Sequence, residues 1–389
     1  MKAYLIAGEA SGDKLGAALM RGLKDLSPGV AFGGVAGPLM QGQGMESLFA
    51  MNELSVMGLA EILPKYRKLV ARIRQTAADV LATRPDVLIT IDSPDFCHRV
   101  ARRVRAADPS IRIVHYVAPS VWAWRRGRAK RMAGHVDQVL ALLPFEPPYM
   151  TVAGMRCDFV GHPVVAEPVP GAAEMVGFRD DHGLGTAPVL LVLPGSRKNE
   201  VARLLPVFGV AAAKILQARP DMRVVIPAAP GLADLIGALT AGWAQPPVML
   251  DAADLAPAKA EARKRAAFRV ADLAIAASGT VSLELAAAGT PMVIAYDMYW
   301  LSWQIISRLV SLNTVTLVNL VTGRNTVPEF LGPACKPGPI AAAALALVDD
   351  EFKREAQISA MRDCMAELGA GGEDPGLRAA RAVLDGLGA

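Results

Sequence analysis

The stretch LLVLPGSRKNEVARLLP, residues 190–206, decides the fold. Its opening apolar run is far shorter than the roughly 20 residues that cross a bilayer. It ends in Pro194-Gly195-Ser196-Arg197 and passes straight into a segment with helical spacing. A strand this apolar must be covered on both faces, which is the mark of a parallel sheet. A glycine turn leading directly into a helix leaves the first helical N–H groups pointing beyond the strand. Arg197 beside that positive helix end makes sense if the turn receives an anion.

The same alternation extends in both directions. AYLIAG (3–8), AFGGVAG (31–37), DVLITID (86–92), RIVHYV (112–117) and QVLALLP (138–144) read as buried strands, separated by helical patterns over 13–26, 60–83 and 95–107. After a Pro/Gly-rich stretch around 163–188 the pattern restarts with PVLLVLPG (188–195), MRVVIPAA (222–229), DLAIAAS (272–278) and PMVIAYD (291–297). Apolar strands linked by helices predict an α/β protein with two doubly wound, Rossmann-like domains facing a central cleft. The expected boundaries are 1–165 and 186–345, with helices over 346–389 packing back on the body. In such sheets ligands sit beyond the carboxyl ends of the strands, so the polar residues that follow each strand are the ones to read.

Bulk composition narrows the class. The chain has 389 residues, 52% hydrophobic and 20% charged, which excludes disorder and leaves room for two cores. The net charge of +4 is too small to imply nucleic acid but suits an anionic surface if the bases cluster. The four cysteines, Cys97, Cys157, Cys335 and Cys364, lack the spacing of a zinc site or disulfide framework. MKAYLIAGEASGD has neither the apolar core nor the cleavage site of a signal peptide, and no run of about 18 apolar residues occurs, so a cytoplasmic protein is expected.

Five segments could carry chemistry. GEASGDKLG (8–16) fails both common phosphate-loop patterns, having Ala10 where a second glycine belongs and no GK[ST]. It is either a tight turn capped by Ser11 or Asp13, or a turn that offers Glu9 to hydroxyls or a base. In TIDSPDF (90–96), Asp95 reads as a helix N-cap, whereas Asp92 ends a buried strand and could accept a proton from a sugar hydroxyl. HYVAPSVWAWRRGRAKRMAGH (115–135) interleaves Trp122 and Trp124 with Arg125 and further bases. That is a solvated basic helix with packed indoles, a wall for an acceptor's phosphate, or a surface for anionic lipid.

ILPKYRKLVARIR (62–74) sets Ile62, Leu63, Tyr66, Leu69, Val70 and Ile73 at helical spacing among Lys65, Arg67 and Lys68. It is either a surface helix burying one stripe or an interfacial helix for anionic headgroups. AASGTVSLELAAAGTPMV (276–293) is a second strand, glycine turn and helix, with Ser278, Gly279 and Thr280 opening the helix and Glu284 one turn in. Glu284 either complements the helix dipole or accepts two ribose hydroxyls. With Gly195, Ser196 and Arg197, this turn describes a nucleoside diphosphate site.

IAGEASGD, ELSVMGLAEIL, IDSPDF, HYVAPSVWAWRRGR, LALLPFEP, FVGHP, LPGSRKNEVARLLP, ASGTVSLE and NLVTGR…VPEF occur in that order over nearly the whole chain. In these segments it resembles the lipid-A-disaccharide synthases, glycosyltransferases of the two-Rossmann-domain GT-B type. The resemblance implies a donor, UDP-2,3-diacylglucosamine, and an acceptor, 2,3-diacylglucosamine 1-phosphate (lipid X). It also implies inversion to a β(1→6) linkage, release of UDP, and work at the inner face of the cytoplasmic membrane. It makes Glu9, Asp92, Arg197, Glu284 and Asn319 functional positions. Asp92 or Glu9 would serve as the base, and Lys65, Arg67, Lys68, Trp122, Trp124 and Arg125 as the acceptor and membrane side. Ala118 stands where the family often has serine, and DMYWLSW (297–303) is individual. No cofactor, metal or nucleic acid is expected, and the oligomeric state stays open. Two rivals are a UDP-N-acetylglucosamine epimerase, which keeps the nucleotide site but needs no acylated acceptor, and a non-catalytic binding module with two domains.

Overall fold

The structure, a computed structural model, describes residues 1–54, 62–123, 127–299, 303–304 and 314–388, the side chains of 62–66 excepted. The chain forms two compact units, one of Met1–Ala166 with Leu368–Ala389 and the other of Glu167–Glu367.

The first unit holds the strands β1 (Lys2–Ala7), β2 (Ala31–Val35), β3 (Val87–Ile91), β4 (Arg112–Tyr116), β5 (Gln138–Ala141) and β6 (Arg156–Phe159). They pair in the order β2-β1-β3-β4-β5-β6, with Ala7 opposite Ile91 between β1 and β3. The second unit holds β7 (Val189–Leu193), β8 (Arg223–Pro227), β9 (Val248–Leu250), β10 (Leu273–Ala277), β11 (Met292–Tyr296) and β12 (Glu329–Leu331), ordered β12-β11-β10-β7-β8-β9. All strand pairs are parallel. The central strands are buried along their whole length, because helices cover both faces. In each sheet the order reverses at one place, between β1 and β3 and between β7 and β10. There successive helices leave for opposite faces and open a crevice beyond the strand ends.

Helix Lys198–Ala218 is long and apolar, but its Leu204, Leu205, Phe208, Ala211, Ala212 and Ile215 form the core of the second unit with β7, β8 and β10. The C-terminal residues divide between the units. Helix Glu351–Glu367 stays with the second, where the buried Gln357 side chain accepts from Met292 N at 2.7 Å and donates to Met292 O at 3.1 Å. Helix Pro375–Leu387 returns to the first, where Gln138 on β5 donates to Ala382 O at 2.8 Å.

That return rests on glycines. Helix Ala10–Leu26 crosses Pro375–Leu387 so closely that a Cβ on Gly22 would lie 2.7 Å from Gly376 O and 2.9 Å from Leu377 Cα. In an isolated helix Gly22→Ala would gain about 1 kcal/mol. Here the obstacle is backbone, and forcing the helices apart typically costs about 1–3 kcal/mol. Gly22→Ala should therefore lower the urea midpoint of the first unit; an unchanged or raised midpoint would mean that the helices do not pack through this contact.

Candidate functional site

The two glycine turns of the second unit flank its crevice. Pro194–Arg197 follows β7, Ser278–Thr280 follows β10, and these strands are neighbours. Gly195 has φ +111° and Gly279 φ +156°, values open to glycine and strained for other residues. Arg197 is the N-cap residue of Lys198–Ala218, and Thr280 that of helix Val281–Ala288, with Glu284 in the latter's first turn. A cavity of about 500 Å³ lies between them, walled by Gly195, Ser196, Arg197, Ser278, Gly279, Thr280 and Glu284. Pro227–Pro230, Leu250 and Phe268 form an apolar side. Two helix starts facing one cavity favour negative charge within it.

The carboxylates in this cavity are already held by cations. Arg197 Nη1 donates to Glu200 Oε1 at 3.0 Å. Glu200 Oε2 accepts from Ser196 N at 3.2 Å and from Arg197 N at 3.3 Å, so this carboxylate closes the turn from within. Tyr296 Oη donates to Glu200 Oε1 at 3.4 Å. On the opposite wall, Lys264 of helix Pro257–Val270 reaches Glu284 Oε2 at 2.9 Å and Glu261 Oε2 at 3.0 Å. Burial works against the Lys264 charge, but Glu284 and Glu261 more than offset it, and its pKa is raised. Sequence reading missed Glu200 and Lys264. A Glu three residues after an N-cap is a capping-box signal, so Glu200 was findable. Lys264 lies mid-helix, and no local signal marks it.

In the first unit, Glu9 and Asp92 leave the adjacent strands β1 and β3 at the crevice. Glu9 is exposed and Asp92 half-buried. Asp92 and Ser93 both adopt left-handed backbone, φ +49° and +42°, and Asp92 N donates to Tyr116 O at 3.0 Å. Consecutive non-glycine residues in this region store strain of the kind that collects at functional sites. Gly8 lets the two turns meet, since a Cβ there would lie 2.4 Å from Ser93 Oγ.

Neither Asp13 nor Asp95 is the cap expected from the sequence. Asp13 does not cap its own helix. Its buried carboxylate accepts from Gly37 N, Leu39 N and Met40 N at 3.1, 2.9 and 3.0 Å, closing the start of helix Pro38–Gln41. Asp95 is not the N-cap of Pro94–Ala107; Ser93 holds that place, and Asp95 lies in the first turn.

Asn319, expected among the donor contacts, is buried away from the cavity wall. Its amide nitrogen donates to Thr314 Oγ1, Val327 O and Glu329 Oε1, and its oxygen accepts from Thr326 N and Val327 N. It fixes the segment leading to β12.

The residues expected on the acceptor and membrane side are described only in part. The Lys65 side chain and all of Trp124 and Arg125 lie outside the described residues. Arg67 and Lys68 are exposed on helix Ile62–Thr83, with Lys68 3.2 Å from Glu53. The apolar stripe continues through Leu69, Ile73, Ala77 and Val80 into the core of the first unit, so this part of the helix buries its stripe in the protein. Trp122 donates its indole N–H to Glu146 at 3.3 Å and packs edge-on against Phe145. Burial pushes the Glu146 carboxyl up to about 7, against the N–H groups of Leu143, Trp122 and Leu142.

Behind the Asp92 turn three histidines cluster. His98 Nδ1 lies 3.3 Å from His135 Nε2, the His98 and His115 ring centroids are 4.6 Å apart, and Thr90 Oγ1 is 2.8 Å from His115 Nδ1. Burial, then neighbouring positive groups, holds His98 down to about 4 and His115 well below its usual value, and His135 is likewise held at about 4. Among the described residues no group of three or more His, Cys, Asp or Glu side chains is arranged to hold a metal.

A family model described as lipid-A-disaccharide synthetase matches residues 3–373. A lipid-A-disaccharide synthase of Ruegeria pomeroyi is 60% identical over 387 residues, covering 100% of this chain and 96% of that protein. One from Rhodospirillum centenum is 45% identical, covering 98% of this chain and 94% of that protein. Among solved structures, UDP-GlcNAc 2-epimerase from Neisseria meningitidis, bound to UDP-GlcNAc, matches with a TM-score of 0.65 at 11% identity, covering 100% of this chain and 99% of that chain. MurG of Acinetobacter baumannii matches with a TM-score of 0.53 at 13% identity and the same coverage. These two likenesses speak for the fold alone.

The histidine cluster sets a pH dependence. The folded-state pKa values are depressed, so the unfolded chain binds more protons between about 6.5 and 4. The stability the neutral rings contribute is present above the unfolded value and lost as pH falls through that window. Each ring that charges only on unfolding adds a slope of about 1.4 kcal/mol per pH unit. Chemical denaturation at stepped pH should show this acid limb, and His98→Leu should flatten it. A limb of unchanged slope in that variant would mean that His98 is charged in the folded protein.

Proposed function

The chain belongs to the lipid-A-disaccharide synthase family, and from that premise we propose how its residues divide the reaction. The reaction condenses UDP-2,3-diacylglucosamine with 2,3-diacylglucosamine 1-phosphate, giving the lipid A disaccharide 1-phosphate and UDP. The donor's nucleotide occupies the cavity of the second unit. The carrying observation is the pair of strand–turn–helix ends that flank the β7/β10 crevice, with Arg197 at one and Glu284 at the other. Arg197 and the start of helix Lys198–Ala218 stabilise charge on the departing UDP, and Glu284 accepts ribose hydroxyls.

On the acceptor side, Asp92 is the general base. The acceptor's 6-hydroxyl oxygen bonds to the donor's anomeric carbon from the face opposite UDP. The carbon–oxygen bond to the β-phosphate breaks, and the hydroxyl proton passes to the Asp92 carboxylate. Attack from the opposite face inverts the centre to β. The strained turn at Asp92 supports this role over Glu9, which lies on exposed, unstrained backbone. The membrane-facing role of Arg67 and Lys68 rests on their exposure. If Arg67→Glu with Lys68→Glu binds anionic vesicles at low salt as the parent does, that role is lost.

Mass spectrometry of the products, with NMR to distinguish C2 epimers of equal mass, tests the reaction. Disaccharide and UDP should appear only when both acylated substrates are present. UDP released from the donor alone, or a donor epimerised at C2, would favour the epimerase-type reading instead.

Two variants should separate the roles of the units. Asp92→Asn keeps shape but cannot take a proton, so kcat should fall by at least about a hundredfold with UDP affinity nearly unchanged. Arg197→Ala should weaken UDP binding roughly ten- to a hundredfold, the usual worth of a charge-assisted bond. Calorimetry with UDP and steady-state rates would decide; if Asp92→Asn retains most of its kcat, the base is elsewhere and Glu9 becomes the residue to test.

A further inference from the structure

We infer that Lys264 is the positioning residue that sets Glu284 to discriminate ribose from deoxyribose in the donor. The inference rests on the reading of Glu284 as acceptor of the ribose hydroxyls. Three carboxylates line a cavity assigned to an anionic ligand, Glu200, Glu261 and Glu284. Each would repel a diphosphate unless neutralised, and each is held by a cation. Glu200 is matched by Arg197, whereas Glu261 and Glu284 share Lys264.

The sharing is asymmetric in a useful way. Lys264 Nζ takes Glu284 Oε2 at 2.9 Å. Glu284 Oε1 has no protein partner among the described residues. The ammonium is fixed from its other side by Glu261 at 3.0 Å, one turn earlier on the same helix, and lies over the Phe268 ring at 6.0 Å. Lys264 comes from helix Pro257–Val270 and Glu284 from the first turn of Val281–Ala288. The pair therefore bridges two elements across the cavity wall. Without that bridge a carboxylate on a half-exposed first turn samples several rotamers, and a diol contact must order it at binding. With it, one oxygen is anchored and the other is presented.

A cation in this place could alternatively serve the phosphates, and the two roles part on a single hydroxyl. A phosphate partner would lose affinity for UDP and 2′-deoxy-UDP equally when removed. Removing a residue that acts through Glu284 also narrows the gap between the two ligands, because only UDP carries the 2′-hydroxyl.

The test is calorimetry of UDP and 2′-deoxy-UDP on the full chain and three variants, Lys264→Met, Lys264→Arg and Glu284→Gln, with circular dichroism to check folding. The parent should prefer UDP by about tenfold, the typical worth of a hydrogen bond to a charged group. Lys264→Met should lose most of that preference, while the two uncovered carboxylates weaken UDP and 2′-deoxy-UDP alike. Lys264→Arg, which keeps the cation, should recover part of it. Combining Lys264→Met with Glu284→Gln should cost no more than Glu284→Gln alone, as for two residues acting through one contact.

An undiminished preference in Lys264→Met, with both ligands weakened equally, overturns the inference while leaving Glu284 in place. An undiminished preference in Glu284→Gln overturns the reading of Glu284 itself, and the role of Lys264 falls with it.

Discussion

Covering a parallel sheet on both faces leaves only its carboxyl edge for chemistry, and everything functional in this chain follows from that constraint. Strands such as Val189–Leu193 and Leu273–Ala277 are wholly buried, so no side chain along them can reach a substrate. What can reach it are the residues just past their ends, where helices diverge and the first-turn N–H groups are unpaired. Each unit has one such place. In the first it gathers Glu9 and Asp92, in the second the Pro194–Arg197 and Ser278–Thr280 turns.

The same constraint explains which parts were legible in the sequence. Buried central strands read as continuous apolar runs, and all nine strands expected from those runs are present. The three missed are Arg156–Phe159, Val248–Leu250 and Glu329–Leu331, and each is an edge strand. One face of an edge strand's hydrogen bonding is open, its burial is partial, and its sequence need not be apolar; RCDF and EFL are only half-buried. The helical tail was legible as helix, but its division between the units was not. That depends on a glycine contact at Gly22 and Gly376 and on two glutamines, Gln138 and Gln357, whose partners lie far away in sequence.

Site residues divide in a similar way. Those read from local signals, a strand end followed by glycine and a helix start, wall one cavity, as Gly195, Arg197, Gly279 and Glu284 do. Asn319 was implied by resemblance alone, and its amide is fully engaged in holding the turn around Val327. Lys264 was invisible because its meaning is tertiary: a lysine in PAKAEARKRAAFRV is an ordinary surface charge until Glu284 is brought against it.

The pairing of charges bears on how strongly such a cavity can hold an anion. Two helix starts and the cations Arg197, Arg263 and Lys264 would suit a diphosphate well, but Glu200 already accepts the Ser196 and Arg197 N–H groups and the Arg197 guanidinium. A phosphate arriving there exchanges one set of charge-assisted bonds for another, so its net gain is a difference of about the size of a single bond rather than the sum of all contacts formed. That exchange suits a transferase. The turn is kept in shape without ligand, held by the Glu200 bonds to Ser196 N and Arg197 N.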